Sequence, residues 1–480
     1  MAGSSGDTNI ATAATVVGDR NAGVLASSQG VRNIATAATV VGNDNVIDAA
    51  SAIAVGETNV GTAATVVGDA NSGVAASADG RINVATAATA VGDANSGVAA
   101  SADGRINVAT AATAVGDGNS GVTADADGSV NVVTAATAVF DGNQAISATA
   151  VGDTNIATAA TVVGNANNGV AAGADGSLNI ATAATVVGDG NSAAILATAS
   201  GDTNIATAAT VVGDRNAGVL ASAQGVRNIA TAATVVGNDN VIDAASAIAV
   251  GETNVGTAAT VVGDANSGVA ASADGRINVA TAATVVGADN GGVVAGSSGD
   301  TNIATAATVV GDRNAGVLAS SQGVRNIATA ATVVGNDNVI DAASAIAVGE
   351  TNVGTAATVV GDANSGVAAS ADGRINVATA ATVVGADNGG VVAGSSGDTN
   401  IATAATVVGD RNAGVLASSQ GVRNIATAAT VVGNDNVIDA ASAIAVGETN
   451  VGTAATVVGD ANSGVAASAD GRINVATAAT

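Results

Sequence analysis

The sequence predicts an all-β fold: a parallel β-solenoid with two strands per coil of about 24 residues and about twenty stacked coils. Three observations predict it. An Asn-headed segment returns every 24 to 26 residues, and each return splits into two similar halves, the second Asn falling 12 residues after the first. Each half holds about eight residues of mostly Ala, Thr, Val or Ser before a Gly/Asp/Asn cluster. Regular repetition of this length is the mark of a solenoid, in which each unit buries its face only against its neighbours.

The elements follow in chain order. Residues 1–8 (MAGSSGDT) are a truncated repeat and turn start. Residues 9–203 hold divergent coils that open at Asn9, Asn33, Asn59, Asn83, Asn107, Asn131, Asn155 and Asn179. The second halves of the first four open at Asn21, Asn45, Asn71 and Asn95. Residues 204–480 repeat almost letter for letter with a period of 98 residues, restarting at Asn302 and Asn400, and the last coil is truncated. Residues 2–10 recur at 295–303 with Val294 before them, so the chain reads as a segment of a longer array.

A helix competes, because Ala is the best helix former. It loses to the Gly in every half, to the β-branched Thr and Val between them, and to the lack of a stripe of large residues at helical spacing. Strands of about eight residues joined by Gly/Asn/Asp turns remain. Counting each half from its Asn, the polar Asp48 and Gln144 put odd positions outside. Asn9, Ala11, Ala13, Thr15 and Val17 then face inward, and Ile10, Thr12, Ala14 and Val16 form an apolar outer strip. The second half, with Ser28, Asp48 and Ser72 outward, faces solvent. The 26-residue coils keep side-chain parity, whereas the 25-residue coil (179–203) calls for a bulge around 194–198.

Composition excludes much. There is no Pro, Cys, His, Lys, Trp or Tyr, all 13 basic residues are Arg, and Phe140 is the only aromatic. No disulfide, thiolate nucleophile or ordinary zinc site can form, and only carboxylates could serve as general acid or base; no enzyme is expected. The net charge of −26 disfavours nucleic acid and anionic membranes, and no apolar run is long enough to span a bilayer.

The columns that stacking would create are the candidate sites. Asn9, Asn21, Asn33, Asn45, Asn59, Asn71, Asn83 and Asn95 would form amide ladders along the axis. Opposite charges fall on neighbouring rungs: Arg20 with Asp44, Glu57 with Arg81, and Arg313 with Asp337 and Asp289. Asp69, Asp93, Asp117 and Asp141 would stack about 4.8 Å apart. That column is a candidate for calcium, set against ordinary turn chemistry with solvated carboxylates; no other cofactor or metal is expected.

The repeating Gly18-Asp19-Arg20-Asn21 and Asn9-Ile10-Ala11 resemble curlin repeats, and the likeness runs along the whole chain. The family's inward Gln is Thr15 or Ser27 here, and its aromatic residues are missing. The resemblance implies a β-solenoid subunit of an extracellular or cell-surface functional-amyloid fibre, as in biofilms. The expected partner is a second copy, stacked end to end and paired laterally. Two further readings compete: the rigid stalk of a large surface adhesin, and ice binding through the outward column Thr12, Thr36, Thr62 and Thr86.

Overall fold

A computed structural model describes residues 1–20, 24–44, 50–70, 74–94, 97–117, 121–139, 141, 146–166, 169–190, 195–216, 218–240, 245–337, 343–364, 366–435, 441–460 and 465–479. The chain divides into two compact units, Met1–Ile242 and Asp243–Thr480. Both are all-β, and all of their strands are parallel. The first unit runs from strand Ala2–Val17 through 18-residue strands such as Val24–Val41 to Val219–Val236. One of its coils is split at Gly152 and Asp153 into Ile146–Val151 and Thr154–Val163. The second unit runs from Ala245–Val262 to Val465–Ala478.

Each long strand joins the second half of one coil to the first half of the next. Pairing is in register, like letter on like: Asn33 with Asn59, Thr36 with Thr62 and Val40 with Val66 in the first unit. In the second, Asn278 pairs with Asn302 and Thr281 with Thr305. The ladder is interrupted twice per coil. Strand Val24–Val41 pairs through 24–30, 32–37 and 39–41, passing over Val31 and Ala38. A strictly alternating strand makes a straight ribbon, so a coil that must come round on itself needs bends, and these are two of them.

The first bend is built on glycine. At Gly275 φ is +150°, a conformation that L side chains rarely adopt. A Cβ there would overlap the carbonyl oxygen of Gly251, one coil below, and would stand 2.6 Å from Asn254 Nδ2. The turn that closes each coil uses a different solution. Its third residue is left-handed whether it is Arg215 (φ 56°), Ala265 (57°), Asp289 (59°) or Asp337 (54°). The same conformation on each described rung lets the turn's backbone amides bond upward, as Arg313 N does to Asn336 O and Ala363 N to Ala386 O.

The bends correct the expected inside and outside. Inward residues of a middle coil are Asn204, Ala206, Ala208 and Val211, then Asn216, Val219, Ala221 and Ala223, each at most 1% exposed. Alternation therefore holds from Asn to the second Ala and then inverts. The Val16 equivalents are buried (Val40, 0%) and the Val17 equivalents face out (Val41, 38%). Thr39 and Thr65, aligned with Thr15, lie half-buried on the outer side rather than in the core. The second half inverts too: Ser28, expected outside, is 1% exposed. Asp48, Ser72 and Gln144 lie outside the described residues.

Length variation is absorbed in the turns. The 25-residue coil keeps Ile195 through Val212 paired with Val170 through Val187, so no bulge interrupts 195–198. The extra residue lies between Val187 and Ile195, just as the two extra residues of a 26-residue coil lie between Val41 and Ala50. Residue 194 lies outside the described residues.

Alanine at the corner glycine tests this packing. Gly275→Ala and Gly373→Ala should each cost about 3 kcal/mol, because backbone rather than a flexible side chain must move. Gly296→Ala and Gly394→Ala, where an added Cβ meets nothing within 4 Å, should stay within about 0.5 kcal/mol of the parent in denaturant unfolding.

Candidate functional site

The chemistry of this chain lies in columns. Gly and Asn act as a unit at the corner: Asn278 Nδ2 donates to the carbonyl of Gly275 in its own strand at 2.7 Å, to Ser298 O in the next strand at 2.5 Å and to Asn302 Oδ1 at 2.8 Å. Its two protons are shared among these acceptors. The side-chain relay runs Asn9, Asn33, Asn59, Asn83 and Asn107 in the first unit at 2.8–3.0 Å. In the second it runs Asn254, Asn278, Asn302, Asn326 and onward to Asn474. Each Asn from Asn33 to Asn450 in these runs is 1–2% exposed. The ladder expected at Asn9, Asn33, Asn59 and Asn83 is present, and it has a direction, each Nδ2 of these four pointing to its counterpart Asn on the next strand.

The second Asn of each coil builds another column. Asn21, Asn45, Asn71 and Asn95 lie outside the described residues, but their equivalents show the pattern. Asn290 N donates to Asn314 Oδ1 and Asn364 N to Asn388 Oδ1, both at 2.8 Å. Asn314 Nδ2 reaches back to Gly287 O. Here backbone meets side chain, and the column caps the turn. Ser28, which the sequence placed in solvent, bonds Asn9 O and Asn33 Oδ1 and braces the first ladder.

The calcium candidates take a structural role of their own. Asp93 N donates to Asp69 Oδ1, Asp117 N to Asp93 Oδ1, and Asp141 N to Asp117 Oδ1, at 2.9–3.0 Å. Asn43 and Asn165 occupy the same column in the same way. One oxygen of each side chain is thus committed to the backbone amide of the next rung. Among the described residues, no group of three or more acidic side chains is gathered as a metal site.

Among the described residues, charges meet at two places. At the turn, Arg313 clasps Asp289 through Nε (2.7 Å) and Nη2 (2.9 Å), and Arg411 clasps Asp387 identically. The guanidinium beside Asp289 holds its carboxyl below the usual carboxylate range. Arg313 therefore takes the rung below and leaves Asp337 as a more distant charge. At the glycine corner, Arg276 lies 3.9 Å from Asp300, and Arg374 the same from Asp398. Arg20 with Asp44, and Glu57 with Arg81, occupy neighbouring rungs without an ion pair within 4.0 Å among the described residues. These pairs are exposed, so they select register more than they stabilise. Asp125 is also surface-exposed; partial desolvation by its surroundings raises its carboxyl, offset in part by a hydrogen bond with Thr149.

The outer surface carries two threonine columns instead of one. Thr12, Thr36, Thr62 and Thr86 stack in register, as do Thr15, Thr39, Thr65 and Thr89. No family model, curated protein or solved structure matches the chain, so nothing found identifies a curlin-like family.

Two substitutions separate the columns. Asn302→Ala removes the acceptor that Asn278 Nδ2 uses and the donor that Gly299 O, Gln322 O and Asn326 Oδ1 share, and should cost about 1–3 kcal/mol in denaturant unfolding. Asp93→Asn should be near neutral, since Asn43 and Asn165 already serve there, whereas Asp93→Ala should cost about 1 kcal/mol. With the carboxylates already bonded to backbone amides, the melting temperature should be the same in calcium and in chelator.

Proposed function

We propose that the chain is a structural fibre element, a solenoid whose coils continue head to tail into a filament outside the cell or on its surface. One observation carries this reading: every coil offers the next an identical set of backbone partners and an Asn amide pointing the same way. Such a surface is heterologous, so like joins like without closing, which is the geometry of open filaments. The curlin resemblance fits the same role, and no catalytic role is proposed.

The second threonine column favours one other reading, binding to ice. Two hydroxyl rows, each repeating at about 4.8 Å, present a regular lattice to water where one row alone would be narrow. Electron micrographs at two protein concentrations decide the main reading. Filaments that lengthen with concentration are the expected result, and rods of fixed length would point to a stalk instead. Thermal hysteresis in the same sample would favour the ice surface.

A further inference from the structure

The glycine corner of the second unit carries a pattern that the filament reading does not use. Through ten successive coils its two outermost positions hold Glu252, Arg276, Asp300, Arg325, Glu350, Arg374, Asp398, Arg423, Glu448 and Arg472. The sign alternates at every rung, and all of these side chains belong to exposed residues. In a chain of net charge −26 this ridge is balanced, five acids to five arginines.

Shape alternates with charge. Each basic rung also bears an exposed aliphatic residue: Ile277 (48%), Val324 (41%), Ile375 (48%), Val422 (42%) or Ile473 (60%). Each acidic rung bears Thr instead. The shorter Asp–Thr rungs are therefore recessed. A groove of about 400 Å³ lies over Asp398 and Thr399, walled by Arg374 and Ile375 on one side and Val422 and Arg423 on the other. The same groove recurs over Asp300 and Thr301.

The ridge arginines are also less engaged than those at the turn. Arg313 is bound through two hydrogen bonds at 2.7 and 2.9 Å, whereas Arg276 and Arg374 stand 3.9 Å from their acids, beyond hydrogen-bond range. Asp274 and Asp372, across the glycine, are already engaged by the hydroxyls of Ser298 and Ser396.

We propose that this ridge is a lateral docking surface for a second copy of the chain, set one rung out of step. An odd-rung offset between two parallel ridges places every charge against its opposite and brings Arg–aliphatic knobs over the recesses at Asp300–Thr301 and Asp398–Thr399. An even offset opposes like charges throughout. The partner is thus chosen by a two-coil repeat of about 9.6 Å, and the same pattern serves both members. Of the Ile10–Val16 strip only the Val16 column is buried, and its Ile10 column stays exposed (Ile34 42%, Ile327 43%) without the alternating charge that would fix an offset.

Particle width tests the ridge while particle length tests the filament, so the two proposals fail separately. In low salt the parent should show paired width, and about 1 M salt, where the screening length falls to about 3 Å, should return it to single width. The variant Arg276→Glu, Arg325→Glu, Arg374→Glu, Arg423→Glu should stay single at all salts. The converse variant, Glu252→Arg, Asp300→Arg, Glu350→Arg, Asp398→Arg, Glu448→Arg, should also stay single. An equimolar mixture of the two should regain paired width, and circular dichroism would confirm that both remain β. Single width of the parent in low salt, salt-independent pairing, or pairing of the acidic variant with itself would each overturn the proposal.

Discussion

Every coil rests on one close approach, a backbone carbonyl seated where the next coil's corner residue would carry a Cβ. Gly275 over Gly251 leaves no room for a side chain. That vacancy lets the strand bend, and the Asn amide three residues on fills the corner by bonding the glycine carbonyl and the coil above. Gly and Asn are one device, the first opening the corner and the second closing its hydrogen-bonding. The left-handed turn residue and the aspartate column repeat the logic at the opposite bend, with side chains accepting from backbone amides one rung on.

With these bends fixed, the core can be small. Ala and Val fill it because the bends leave space for little more, and each contributes modest burial. Cohesion comes instead from the parallel ladder and from buried amides whose partners are repeated copies of themselves. An unmatched Asn is costly in such a setting, which makes register strict although the surrounding letters are nearly uniform.

The 24-residue period, the parallel in-register stack and the Asn relay could be read from spacing alone, because identical letters at equal intervals permit few other arrangements. The phase of the side chains could not. The second bend falls within Ala-Ala-Thr, with no Gly, Pro or Asn to mark it, so simple alternation puts Thr15 and Val17 in the core and Val16 on the surface. Ser28 lies inside because the second half inverts as well, as the buried Asn290, Val293 and Ala295 show in a described coil. The aspartate column was visible as a column, but its bonds run to backbone amides, which the sequence does not display. The ridge lay in plain letters as well; its relief, bulky basic rungs beside recessed acidic ones, needed the corner geometry.

The 98-residue super-repeat has a consequence for length. Strand Val317–Val334 and strand Val415–Val432 meet the same neighbours, letter for letter, on both sides. Removing or inserting one whole copy would therefore bring together surfaces that already fit, with no new contact to be invented. A gene of this kind can vary by recombination between its own copies, and the product changes only in extent, the way a tape is cut at its printed marks.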